Sequence, residues 1–123
     1  MAVTREAEKR EILAFTYGER LKAELLVVGQ LLETIASLHG PERQGALTLF
    51  HTVIAGVAGD FRLAARVLGS EDLRGLDAKI ELVEGFARLV QMTAAREELS
   101  VLLSRVTTVS GRAMAALRGK SLL

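Results

Sequence analysis

A chain of 123 residues, half of them apolar, is long enough for one domain and has ample material for a core. A net charge of +1 gives no overall field to attract nucleic acid, and the absence of cysteine excludes disulfides, thiolate metal sites and cysteine nucleophiles. With one proline, no tryptophan, abundant Ala, Leu, Glu and Arg, and no Asn-Gly or Asp-Gly hairpin between alternating runs, the composition predicts an all-α fold. The expected architecture is a single antiparallel helical bundle over 1–123.

The N-terminus is charged from Arg5 onward and lacks the apolar stretch of a signal peptide. The first helix is expected from Thr4 to Leu38, with an apolar stripe at Ala14, Leu21, Leu25, Val28, Leu32 and Ile35. Its first half is heavily charged and offers i,i+4 pairs such as Glu6 with Arg10. His39-Gly40-Pro41 marks its end. Gly40 suits a left-handed cap, Pro41 suits the first turn of the next helix, and His39 gains from the helix dipole.

The second helix is expected from Pro41 to Leu68, with a core stripe of Leu47, Phe50, Ile54, Val57, Phe61, Ala65 and Leu68. Between Arg43 and Asp60 it carries no charge for sixteen residues, a run below the roughly 20 that span a membrane. A helix with no charged face has none obviously meant for water. Gly45, Thr48, Thr52, Ala55, Gly56 and Gly59 form a strip of small residues. A helical glycine costs about 1 kcal/mol relative to alanine, so the strip predicts either a closely packed second helix or a kink at Gly56–Gly59.

Gly69-Ser70 closes this helix, and Ser70 is placed to cap a third whose first turn holds Glu71 and Asp72. The third stripe is Leu73, Leu76, Ile80, Val83, Ala87, Val90 and Ala94; a further stripe is Leu99, Leu102, Val106, Val109, Ala113 and Leu117. The two lie about 100° apart on a continuous helix, so the buried face changes near Arg96–Glu98. Either a turn near Thr93–Glu98 starts a fourth helix, or one helix continues to Arg118 and packs distally on a second chain. The four-helix form buries both stripes within one domain. Residues 70–98 carry −3 and 99–123 carry +4, from Arg105, Arg112, Arg118 and Lys120. Those four bases are the candidate anion-binding set, though no aromatic interleaves them and nucleic acid is not the expected partner.

No catalytic set, cofactor or metal site emerges. Neither histidine follows a glutamate by three residues, Glu81 and Glu84 read as a solvated acidic face, and there is no phosphate-cradling glycine loop. His51 reads as a boundary histidine with a hydrogen-bonded ring. Residues 51–60, His-Thr-Val-Ile-Ala-Gly-Val-Ala-Gly-Asp, resemble the phosphoacceptor helix of histidine-phosphotransfer domains, which are helical bundles of similar size. The resemblance implies His51 as phosphoacceptor; Ile54 stands where that family has a lysine and Ala55 where it has its first glycine. The function expected from the residues is a small, soluble, cytoplasmic, non-enzymatic protein that acts by protein–protein interaction, self-associating or binding another helical protein. The expected interface is Gly45, Thr48, Thr52, Ala55 and Gly59, followed by Leu99, Leu102, Val106 and Val109. A carrier holding an apolar ligand between its first two helices is a further alternative.

Overall fold

A computed structural model describes residues 2–119, with side chains from residue 5 onward. Four helices follow in order: α1 Ala2–Ser37, α2 Gly40–Leu68, α3 Leu76–Arg88 and α4 Met92–Gly119. Each packs on its neighbours in a closed ring, α1 on α2, α2 on α3, α3 on α4 and α4 back on α1, and the α1–α4 seam is the most extensive. Short connections force antiparallel neighbours. The contacts agree: Arg10 near the start of α1 donates to the Leu68 carbonyl at the end of α2 (3.0 Å).

The periodic apolar residues make the core. Leu21, Leu25, Val28, Leu32 and Ile35 of α1 face Leu47, Phe50, Ile54, Val57 and Phe61 of α2, all buried. α3 adds Leu76, Ile80, Val83 and Ala87, and α4 adds Ala95, Leu99, Leu102, Val106 and Val109. A fully buried side chain of this kind stabilises by about 1.5–3 kcal/mol. One face of each uncharged segment of α1 and α2 thus lies in the interior, where Leu25, Val28, Leu32, Phe50 and Ile54 share one core cluster at the place the carrier alternative gave to an apolar ligand. α2 is the one described helix long and apolar enough to cross a membrane by length and composition alone.

The helix ends follow their chemistry. Gly40 (φ 59°) and Gly69 (φ 57°) take the left-handed conformation that side chains disfavour. The Gly69 N–H closes on the Ala65 carbonyl, and Arg43 donates to the Ile35 and Ala36 carbonyls at the open end of α1. α2 runs unbroken through Gly56 and Gly59, so the alternative of a kink there does not hold.

Two expectations need correction. Ser70 does not cap a helix: residues 71–75 form turns, with Leu73 buried as an anchor, and α3 starts only after Gly75 (φ 79°). The turn after α3 comes at Leu89–Gln91, not near Arg96–Glu98. Val90 takes φ 58° there, and its N–H and that of Gln91 close on the Ala87 and Phe86 carbonyls. The stripe therefore ends at Ala87. Val90 is exposed, Ala94 half-buried, and Ala95 takes the core position in α4. Arg96–Glu98 lies inside α4, as its helix-forming sequence suits.

The close helix approach is also elsewhere than expected. A Cβ on Gly18 of α1 would stand 2.9 Å from Ser110 Cβ and 3.2 Å from its Cα, and one on Gly29 would stand 3.3 Å from Leu99 Cδ2. Moving eleven residues along α1 moves the contact eleven residues back along α4, the signature of an antiparallel seam. The buried Ser110 hydroxyl donates to Glu19 (2.7 Å), and this bond, after the neighbouring Lys22, holds the Glu19 carboxyl below the usual range.

Candidate functional site

The rotation of α2 about its axis divides its uncharged run three ways. Phe50, Ile54 and Val57 point inward. Gly45, Thr48, Leu49, Thr52, Ala55 and Gly56 are exposed, with Leu49 71% accessible, and Gly59 is half-buried. A Cβ added at Gly45 or Gly56 would meet nothing within 4 Å. This chain therefore does not cover the small-residue strip. The cost of its glycines is not offset by packing inside the bundle.

The third division is the edge that faces α3, where His51 stands. Glu84 sits on the flank of the α3 stripe, four residues after Ile80, and α3's packing on α2 buries it; its side chain is 10% accessible. Glu81 is exposed, so the reading of both as a solvated acidic face holds for one and fails for the other. A desolvated carboxylate needs donors. His51 Nδ1 lies 2.6 Å from Glu84 Oε1, and Arg88 Nε lies 3.5 Å from the same oxygen, one helical turn along α3. The imidazole is 67% accessible. An ionised carboxylate only accepts, so Nδ1 carries a proton in this contact. Gln44, Leu47, Thr48, His51, Glu84 and Arg88 line an open groove of about 440 Å³. Sequence reasoning singled out His51 but missed Glu84 and Arg88.

A second titratable cluster lies on the opposite edge of α2, at α1. Glu24 Oε2 is buried and finds no donor. Burial first, then the neighbouring Asp60 carboxyl, push Glu24 up to about 7, with Arg20 opposing. A proton on Glu24 turns that oxygen from an orphan acceptor into a donor towards Asp60, which Arg20 also approaches at 3.5 Å.

The remaining candidate residues are not brought together. Leu99, Leu102, Val106 and Val109 lie in the bundle's own core, at most 8% accessible, so they are not a free interface. A projecting last helix would have offered them most fully to a partner; α4 instead folds back on α1. Among the candidate bases, Arg112 pairs with Asp72 at 2.9 Å, Arg105 and Arg118 are exposed, and Lys120 lies outside the described residues. The acidic and basic segments therefore neutralise each other in part. Likewise Arg10, expected to pair with Glu6, spends its guanidinium on the end of α2. Among the described residues no three His, Asp or Glu side chains converge where a metal could sit. No protein-family model, curated protein or solved structure matches the chain.

Proposed function

We propose that the chain works by protein–protein interaction through the outward face of α2, and that the partner is a second copy. The observation that carries this is the exposed, uncharged strip centred on Thr52, with Leu49 protruding beside glycines that nothing in the chain covers. The strip is self-complementary. An antiparallel two-fold through Thr52 pairs Leu49 of each copy with Ala55 of the other, beside Gly56, and brings Gly45 beside Gly59. Protruding leucine meets small residues on both sides, as an isologous contact requires. No charge on this stretch must be desolvated or repelled.

One helix pair buries less than the roughly 1,200–2,000 Å² of stable complexes, so the association expected is in the micromolar range. Sedimentation equilibrium from low to several hundred micromolar chain tests it. A monomer–dimer equilibrium that Leu49→Glu abolishes, with the helical signal intact, is the expected result. A wild type that stays monomeric throughout refutes the proposal.

A further inference from the structure

The last two turns of α2 and the turn that follows them enclose a cleft beyond Gly59, outside the association surface. Arg62, Ala65, Arg66 and Gly69 step by three and four along one face of α2, and Ser70, Leu73, Arg74, Gly75 and Asp77 stand opposite. The cleft holds about 400 Å³. Its floor is apolar, with Ala65 half-buried and Leu73 anchored in the core. A Cβ at Gly75 would meet nothing within 4 Å, so the cleft is open on that side. Its walls are basic: Arg62, Arg66 and Arg74 against the one acid Asp77 give the lining a charge of +2. These guanidiniums are weakly held. Arg62 reaches Asp77 only at 3.4 Å, and Arg74 reaches Glu71 at 3.3 Å with both side chains more than three-quarters exposed. Ion pairs so solvated contribute little. Arg66 has no carboxylate partner among the described residues. The negative end of α2 favours a base in its last turn, but the positive end of α3, at Gly75, borders the same cleft and opposes it. The arginines therefore set the sign of the potential.

We infer that this cleft binds a soluble small molecule carrying a phosphomonoester or diphosphate group. Planar guanidiniums match the paired oxygens of such a group, and a dianion matches the charge of the lining. Arg62 and Arg66, one turn apart, hold it from α2, and Arg74 holds it from the facing turn. Asp77 yields Arg62 to it. An oxyanion between three guanidiniums also relieves their mutual repulsion. A phosphate alone fills a small part of 400 Å³, so the apolar floor takes the organic body. Glu71 and Asp72 stand on the same turn and would meet an anionic membrane, which is why the source is soluble rather than a lipid headgroup.

Inorganic pyrophosphate is the probe, added to the folded full chain at low ionic strength. Proton–nitrogen NMR should show saturable shifts gathered at Gly69, Ser70, Arg74 and Gly75 and at the Arg62 and Arg66 side chains, with a dissociation constant below about 1 mM. Arg66→Gln should weaken binding by at least about tenfold, and Arg66→Lys, which keeps the charge but not the fork, should recover only part of it. Arg105→Gln removes an exposed base on α4 outside the cleft and should leave binding within about twofold. Asp77→Asn, which releases Arg62, should tighten it. AMP should displace pyrophosphate, whereas adenosine and vesicles of phosphatidylcholine with phosphatidic acid should not. The proposal is overturned by the absence of saturable shifts up to about 10 mM pyrophosphate, or by shifts spread over the whole basic surface. Arg105→Gln as damaging as Arg66→Gln, full recovery by Arg66→Lys, or indifference to Asp77→Asn would also overturn it. Displacement by adenosine or by the vesicles, or none by AMP, would do the same.

Discussion

Glycine-to-alanine substitutions separate close packing inside the bundle from an uncovered outer face, and Gly18→Ala is the decisive one. Alanine is favoured over glycine in a helix by about 1 kcal/mol, so a gain in stability is the default expectation. At Gly18 the new Cβ would stand 2.9 Å from Ser110 Cβ and within 3.2–3.3 Å of Ser110 backbone atoms. Backbone cannot rotate away, so the α1–α4 seam must open, and the Ser110–Glu19 bond at 2.7 Å is strained with it. Overpacking of this kind costs about 1–3 kcal/mol. Set against the propensity gain, the net change is a loss of about 0–2 kcal/mol. At Gly56 the new methyl meets nothing within 4 Å, so the propensity term stands alone and stabilises by about 0.5–1 kcal/mol. For a domain of this size each kcal/mol moves the midpoint by about 3–5 °C. Thermal and urea unfolding followed by circular dichroism, at a concentration where the chain is monomeric, should place the two variants on opposite sides of wild type. Adding Ser110→Gly should rescue part of the Gly18→Ala loss, a coupling that only a direct contact produces. If Gly18→Ala is as stable as Gly56→Ala, the helices do not meet as described and the reasoning about the seam fails.

Glu24, raised to about 7 in the folded chain against 4.5 for an ordinary glutamate, holds a proton that the unfolded chain has released between those values. Folding stability should therefore fall as pH rises from about 4.5 to 7 and level off above, by on the order of 1 kcal/mol after solvent screening. Glu24→Gln should remove this component, and urea midpoints of the two proteins that run parallel from pH 4.5 to 8 would contradict it. Val90, a β-branched residue at φ 58° and 45% accessible, carries strain of about 1 kcal/mol or more; Val90→Gly should recover about that much in thermal unfolding, and a loss would show the turn unstrained. Phe61, fully buried in the second half of α2, should cost about 3–5 kcal/mol on replacement by alanine; a urea midpoint near wild type would mean the core repacks freely.

The fold was legible in the periodicity because burial of an apolar stripe depends on one helix at a time. Every core residue expected in α1 from Leu21 to Ile35 is buried, and so is the stripe from Leu99 to Leu117. What could not be read depends on two helices at once. Gly18 matters because the antiparallel register sets it against Ser110, and no property of α1 alone names that partner. The end of α3 escaped because a positive φ at Val90, a residue that disfavours it, leaves no mark in composition. Glu84 did leave a signal. It follows Ile80 by four residues, on the flank of a buried stripe, and a carboxylate so placed requires a donor. In the uncharged run of α2 the one titratable donor is His51.

That pairing and the outer strip can be tested as independent features of the same helix. Leu49 and His51 are two residues apart, about 200° around the axis. One protrudes on the far side of the outward strip; the other turns to Glu84 at the α3 edge, 2.6 Å away. A contact across the Thr52 two-fold is centred about 100° from His51, with Thr48 bordering both the contact and the groove. Leu49→Glu should abolish association and leave the His51–Glu84 contact, read by nitrogen NMR of the ring, unchanged, since the new carboxylate lies largely screened from it. His51→Gln should remove the charge-capable pairing with Glu84 and leave the dimer dissociation constant unchanged within about threefold. If either substitution disables both properties while the helical signal is retained, the helix presents one site rather than two, and the division of its surface by helical angle is wrong.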